Sequence, residues 1–269
     1  GGQLGLSLNE LESYPGFKKN YYIQSPILIP FANNIDTNII KISCGEAHSL
    51  AVSSEGKVYS WGFGSNGQLG LGFCEDSFEP GEGLKNSMRY EPELIKNLED
   101  EKIYDIKCGK TFSMFVDNKG ELYSCGVNDL YQLGIPDTPP QNHVKNYDSR
   151  CFDYIFPTKL DYFLDMKVEK ISCGEAHCLA IVKDFFSNER IIWSWGNNGL
   201  GQLGLVDKMK VSLPKPITFL FGYKKDKFEN VSCGGFHSLC LIKHRDDVNW
   251  IENDFKYNIC RVINELWNY

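Results

Sequence analysis

Three cysteine–histidine pairs and one glycine-rich loop carry the residue types that perform chemistry in proteins. Cys44 and His48, Cys173 and His177, and Cys233 and His237 are each four positions apart. Thiolate and imidazole are zinc ligands. Glu46 and Glu175 lie two residues before a histidine, and a carboxylate beside an imidazole suits acid–base work. The run from Val58 to Gly72, VYSWGFGSNGQLGLG, places Gly62, Gly64 and Gly67 in the spacing G-x-G-x-x-G. That spacing cradles phosphate when it follows a strand and opens a helix.

Each chemistry meets an obstacle in the sequence itself. A structural zinc site gathers about four ligands at one point, whereas these pairs lie 60 residues or more apart. A fourth copy of the stretch has Phe112 where histidine would stand. The residues after the glycine loop, Phe73-Cys74-Glu75-Asp76-Ser77, are acidic and lack a helical pattern, and no Gly-Lys-Ser/Thr appears. No nucleophile–histidine–acid set stands out. We therefore assign no catalytic residue, no metal and no cofactor. The cysteines read as small buried apolar groups, the histidines as groups bonded to neighbouring backbone, and the Glu–His pairs as turn locks.

All these residues belong to a repeat. Lys41–Ser53, Asp105–Asp117, Lys170–Val182 and Asn230–Ile242 align on the pairs Cys44-Gly45, Cys108-Gly109, Cys173-Gly174 and Cys233-Gly234, with steps of 64, 65 and 60 residues. Gly-Gln-Leu-Gly or a variant follows the same beat, centred on Gln3, Gln68, Gln132 and Gln202, with Gly70 closing the second. A proline before a short apolar run recurs at Pro26, Pro92, Pro157 and Pro214. Three markers with one period establish internal repetition. In the other copies the glycine loop reads CGVNDLYQLG from Cys125 and WGNNGLGQLG from Trp195, so the phosphate-type spacing is confined to one copy. The glycines read as a recurring turn, including Gly62 after Trp61 and Gly196 after Trp195.

One unit holds about four short strands. Ile39–Gly45, His48–Ser53 and Lys57–Trp61 alternate with period two and are rich in Val, Ile, Tyr and Trp. Ser54-Glu55-Gly56 and Asn118-Lys119-Gly120 are tight hairpin turns, while the third unit has the longer connection Asp184–Glu189. A lone four-stranded sheet cannot bury two apolar faces, so neighbouring sheets must stack. Radial stacking makes a β-propeller, and the period exceeds that of WD-type and kelch blades.

On CGEAHSLAV, KVYSWG and GQLGLG, recurring as CGKTFSMFV, ELYSCG and YQLGI and again as CGEAHCLAI, IIWSWG and GQLGL, the chain resembles the RCC1 family of seven-bladed propellers. The resemblance covers roughly residues 1–243. It implies an all-β, RCC1-like propeller, partial or part of a seven-bladed ring. Full units span about 26–72, 92–135 and 157–205, with partial units at 1–6 and 214–243. Seven units need more than roughly 400 residues, so the chain reads as a piece of something longer, completed by further repeats or another chain. The family includes a guanine-nucleotide exchange factor for the GTPase Ran, ubiquitin-ligase and kinase components, ciliary proteins and a plant ultraviolet receptor. That receptor's clustered Gly-Trp-Arg-His-Thr motifs are absent, which disfavours light sensing. The resemblance thus implies a protein-interaction scaffold, with exchange on a Ran-like small GTPase second and substrate recognition for a ubiquitin ligase or kinase third. In exchange-factor relatives, residues near the histidine position face the GTPase, which makes His48, His177 and His237 partner-contact candidates.

Further candidates lie on the long unit-joining loops, because loops on rigid scaffolds carry contacts. Asp76 and Glu79 lie in Phe73–Tyr90, and Asp137, Arg150 and Tyr154 in Pro136–Phe156. After Ile242 the repeat pattern stops. Ile251, Phe255, Ile259, Val262, Ile263 and Leu266 fall at helical intervals, so residues 244–269 are expected to form a helical extension, with a helix from Asp247 to Trp267. It either covers the last sheet or leads elsewhere. The net charge of −7 disfavours nucleic acid as the main partner. No apolar run is long enough to span a membrane, and the cysteine usage suits a reduced intracellular setting, cytoplasmic or nuclear.

Overall fold

The computed structural model describes residues 2–14, 23, 25–29, 31, 37–74, 86–135, 143–145, 152–206, 210–218, 227–243 and 260–262. These form four antiparallel sheets, the blades of an RCC1-like propeller. Blade 1 is β1 (Ile39–Cys44), β2 (His48–Ser53), β3 (Val58–Phe63) and β4 (Met88–Leu94), paired in that order. Blade 2 joins β5 (Ile103–Cys108), β6 (Phe112–Asp117) and β7 (Leu122–Val127) to β9 (Phe152–Lys159), with β8 (His143–Lys145) outside β9. Blade 3 is β10 (Met166–Cys173), β11 (His177–Asp184), β12 (Arg190–Gly196) and β13 (Val211–Pro216). Blade 4 is β14 (Lys227–Cys233), β15 (Ser238–Lys243) and β16 (Cys260–Val262). A short helix, α1 (Leu8–Ser13), precedes them and opens on a capping box between Ser7 and Glu10.

The sheets cut the chain differently from the sequence units. Pro92, Pro157 and Pro214 lie in the fourth strand of the sheet before them, where Tyr59 pairs with Leu94, Tyr123 with Lys159 and Trp193 with Pro216. Proline lacks an amide hydrogen and suits this edge position. Blades 1, 2 and 3 therefore take their fourth strand from the beginning of the next sequence unit.

Turn chemistry explains the hairpins. The Gly56 amide donates to the Ser53 carbonyl at 2.9 Å, and that of Gly120 to Asp117 at 2.9 Å. In blade 3 the Asp184 carboxylate instead accepts from the amides of Phe186 and Ser187, at 2.8 and 2.7 Å, and supports the longer connection. The first strand of every blade carries one bulge at the same place, between Ile39 and Lys41, Ile103 and Asp105, Val168 and Lys170, and Phe228 and Asn230. The extra residue re-aims the strand, so Ile103 and Ile106, three apart, point into the same core.

The cores are the seams between blades. Leu50, Val52 and Val58 of blade 1 meet Ile103, Ile106, Cys108 and Phe115 of blade 2. Phe112, Met114 and Val116 meet Val168, Ile171, Ala180 and Trp195 of blade 3. Leu179 and Ile181 meet Phe228, Val231 and Cys240 of blade 4. Among the described residues no helix is long and apolar enough to cross a membrane.

The expected C-terminal helix is corrected where it can be followed. Cys260–Val262 is a strand, with Leu239 opposite Val262 and Leu241 opposite Cys260. The third-strand place in blade 4 must be filled, and β-sheet pairing satisfies the backbone of β15, which overrides the local helical spacing. The rest of that extension lies outside the described residues.

Candidate functional site

The four Cys-Gly-x-x-His stretches, including the Phe112 variant, are built alike and sit at the seams. The ring of His48 folds back over Gly45, that of Phe112 over Gly109, that of His177 over Gly174 and that of His237 over Gly234. A Cβ on any of these glycines would collide with the ring, which fixes the spacing in the motif. His48 Nε2 lies 3.0 Å from the Ser113 hydroxyl of blade 2, and His177 Nε2 lies 2.9 Å from the Ser238 hydroxyl of blade 4. Each serine donates onward to a loop carbonyl, Ser113 to Gln68 at 2.7 Å and Ser238 to Gln202 at 2.8 Å. A carbonyl only accepts, so the hydroxyl proton is committed and the imidazole proton resides on Nε2. Both histidines are buried, and burial lowers their pKa to about 4, opposed by a backbone hydrogen bond at Phe112 for His48 and at His237 for His177. These are neutral structural imidazoles that clip one blade to the next.

The glutamine carbonyls are the hub of each clip. Gln132 accepts from the Trp195 indole at 3.0 Å, and Gln3 accepts from Trp61 at 3.0 Å and Ser49 at 3.2 Å. The glutamine side chains hold their own loops, Gln68 accepting from the Asn66 amide, Gln132 from Leu130 and Gln202 from Leu200, each at 2.9 Å. The glycine loop turns back on itself, the Gly67 amide donating to the Gly64 carbonyl and the Gly70 amide to that of Gly67. A Cβ on Gly62 would lie 2.5 Å from the Ala47 carbonyl and one on Gly67 would lie 2.9 Å from that of Tyr154. Gly67 has φ +78° and Gly201 +77°, and in the second unit Tyr131 takes φ 62° at the same place. The turn is kept even where its glycine is not.

The cysteines and glutamates are likewise structural. Burial pushes the Cys108, Cys125 and Cys178 thiols well up and that of Cys233 to about 12, the opposite of what a nucleophile or metal ligand needs. Cys44 alone of the four Cys-Gly cysteines is exposed. Glu175 accepts from Lys110 of blade 2 at 2.8 Å. Backbone bonds run from loop to loop in the same direction: Glu46 amide to Lys110 carbonyl, Lys110 to Glu175, and Glu175 to Gly235, at 3.1–3.3 Å.

Several partner-contact expectations are therefore corrected. His48 and His177 are buried in seams, because their rings are spent on the serine clip. Tyr154 is 1 % exposed, because β9 is a strand paired on both sides there, with Gly126 of β7 and His143 of β8, and not a loop. Of the three candidate histidines, His237 is the exposed one. Asp76, Glu79, Asp137 and Arg150 lie outside the described residues. The sequence reading passed over an exposed apolar group on blade 3: Phe185 and Phe186, 59 % and 86 % exposed, with Leu164 at 68 %. The Phe185 amide donates to the Asp165 carbonyl, which sets the two segments side by side. Two adjacent aromatics in an overlong hairpin connection were the available signal.

Comparison with known proteins agrees with this geometry. The Regulator of chromosome condensation (RCC1) repeat matches residues 55–116, 119–181 and 191–241, and a second form of that repeat matches 39–68. The Arabidopsis thaliana ultraviolet-B receptor UVR8 is 31 % identical over 76 % of the chain and 39 % of its own length. The Mus musculus E3 ubiquitin-protein ligase HERC2 is 31 % identical over 73 % of the chain and 3 % of its own length. Among solved structures, Prp20p from Saccharomyces cerevisiae superposes with TM-score 0.65 and 25 % identity, over 78 % of the chain and 45 % of that protein. The chain thus spans less than half of each of these relatives. With in-phase repeats, matching blades and a profile that covers most of its length, the chain belongs to the RCC1-repeat family.

Proposed function

We propose that the chain is a protein-binding scaffold, without covalent chemistry of its own, that engages its partner through the exposed group Phe185, Phe186 and Leu164. That group carries the reading: a contiguous apolar patch at a loop tip costs solvation unless a partner covers it, and the blades behind it are locked by internal clips. An intracellular setting, cytoplasmic or nuclear, belongs to this reading. The test is capture from lysate on the immobilised chain, compared with a Phe185→Ser/Phe186→Ser variant. Proteins retained by the first and lost from the second support the reading. An unchanged set of captured proteins rejects the patch as the contact.

A second reading, exchange on a Ran-like small GTPase, is supported by the similarity to Prp20p, whose structural description records binding to Gsp1p and histones. Exchange needs only tighter binding to the nucleotide-free state. Release of a fluorescent nucleotide from Ran in the presence of the chain tests it, and an unaccelerated rate rejects it. A role in substrate recognition for a ubiquitin ligase has the HERC2 similarity in its favour. It predicts that a protein captured by the chain is ubiquitinated by the full-length parent.

A further inference from the structure

The foot of blade 2 gathers three acids that the seam clips do not use. Asp117 ends β6, Glu121 stands across the hairpin just before β7, and Glu101 lies in the segment that leads into β5. One carboxylate oxygen from each lies within 4.8 Å of the others. Carboxylates this close repel one another unless a positive charge stands between them.

Asp117 is the telling member, because its side chain is fully buried. Its Oδ1 accepts from the amides of Lys119 and Glu121, at 3.0 and 2.7 Å, and is spent on the turn. Its Oδ2 is buried too, and among the described residues it has no hydrogen-bond partner. A buried charged oxygen without a donor is costly to keep. The ammonium groups nearby serve the other two acids. Lys159 Nζ is 2.8 Å from Glu121 Oε1, and Lys119 Nζ is 3.7 Å from Glu101 Oε2. The Tyr123 hydroxyl donates to Glu121 Oε2 at 3.3 Å. Two ammonium charges thus face three carboxylates, and neither is bonded to Asp117 Oδ2.

The neighbouring blades share the backbone of this foot and lack its acids. One bond pins each hairpin to the segment before the first strand: Ser54 amide to Asn38 carbonyl in blade 1, Asn118 to Lys102 in blade 2 and Phe185 to Asp165 in blade 3. A second closes each turn, from the amides of Ser53, Asp117 and Asp184 to the carbonyls of Lys57, Glu121 and Glu189. Aligned on these bonds, Glu101, Asp117 and Glu121 correspond to Thr37, Ser53 and Lys57 in blade 1 and to Leu164, Asp184 and Glu189 in blade 3. Of the three blades, blade 2 is the one with an acid at every place.

We propose that Glu101, Asp117 and Glu121 form a Ca2+ site, with Asp117 Oδ2 as its buried anchor and water completing the shell. A set made of carboxylates alone selects a hard cation. Ca2+ bonds of about 2.3–2.6 Å span oxygens up to roughly 4.6–5.2 Å apart, which suits the spread of this cluster, whereas Mg2+ bonds of about 2.0–2.1 Å demand a tighter octahedron. The ion gives the stranded oxygen a partner and ties the hairpin of blade 2 to the entry of β5. The site is independent of the apolar patch on blade 3, so the failure of either leaves the other untouched.

Calorimetric titration of the intact chain with CaCl2, after EDTA has removed divalent ions, tests the proposal. Wild type is expected to bind one ion with a Kd of roughly 10⁻⁴–10⁻³ M, in the range of weak Ca2+ modules, and its thermal midpoint is expected to rise with added Ca2+. Asp117→Asn keeps the Oδ1 acceptor and the side-chain shape but removes the charge. Glu101→Gln removes a half-buried charge that the turn does not use, and it keeps the test decisive where the first variant folds poorly. Each is expected to weaken binding roughly ten-fold or more and to remove most of the midpoint shift, with circular dichroism checking that the sheets persist. Wild type that gives neither binding heat nor a midpoint shift overturns the proposal and leaves the stranded oxygen to a proton. Binding that Glu101→Gln and a folded Asp117→Asn both retain lies elsewhere and overturns it as well. A midpoint shift matched by NaCl at equal ionic strength is screening, and one matched by an equal concentration of Mg2+ removes the claim to Ca2+; either result overturns the assignment.

Discussion

The seam between blades 1 and 2 and the seam between blades 2 and 3 fill one geometry with two chemistries. The first holds His48, Ser113 and Cys125; the second holds Phe112, Cys178 and Trp195 at the same three positions. In the first, a buried hydrogen-bond chain runs from imidazole to hydroxyl to the Gln68 carbonyl, and the small Cys125 thiol sits beside that carbonyl at 3.7 Å. In the second, the polar clip is gone, and the Trp195 indole reaches the Gln132 carbonyl. A lost hydrogen-bond pair has been replaced by an apolar pair and a larger ring. This teaches that the unit of exchange is the matched trio. Replacing one member by itself leaves a buried polar group unsatisfied or a void.

The largest expected effect separates the two seams by size. Trp195→Ala is expected to destabilise by about 3–5 kcal/mol, and Cys125→Ala by about 1 kcal/mol, read as the shift in denaturant unfolding. Equal costs would break the comparison. Next comes pH. The pKa of His48 and of His177 is about 4 in the folded chain and 6.5 in the unfolded chain. The unfolded state therefore binds more protons between these values, and stability falls as pH drops from 6.5 toward 4. The loss is on the order of 3 kcal/mol per imidazole, measured as urea midpoint against pH. A chain carrying His48→Phe/Ser113→Cys and His177→Phe/Ser238→Cys should lose most of that slope. A slope that survives both exchanges would place the titrating groups elsewhere.

A smaller effect sharpens the trio idea. His48→Phe by itself is expected to cost about 1–3 kcal/mol, and adding Ser113→Cys should bring stability back to within about 1 kcal/mol of wild type. A strictly additive double-mutant cycle would show that the residues do not act together. The smallest effect is at the surface. Phe185→Ser with Phe186→Ser should change stability by no more than about 0.5 kcal/mol, because both side chains are more exposed than buried.

Sequence reading reached the strands and hairpin turns because period two and Gly56 or Gly120 are local signals. It reached the seam glycines and cysteines because they recur in phase. It could not place Tyr154, whose strand is set by pairing with Gly126 from a different unit. It expected the histidines to bond nearby backbone; the real partner, Ser113 or Ser238, is 65 or 61 residues away. The co-variation of ring and hydroxyl was present in the sequence, but only stacking shows which blades meet. Cys260–Val262 followed the demand of an unfilled sheet over its own spacing.

The proline runs give the domain one further property. Each of the first three sheets is stitched shut by residues that follow the next boundary along the chain, so no repeat after them can be excised at its sequence limits without unpicking the sheet before it. Swapping modules between such proteins, or trimming one for expression, would succeed at cuts placed after Leu94, Lys159 or Pro216, where a sheet takes all its strands with it.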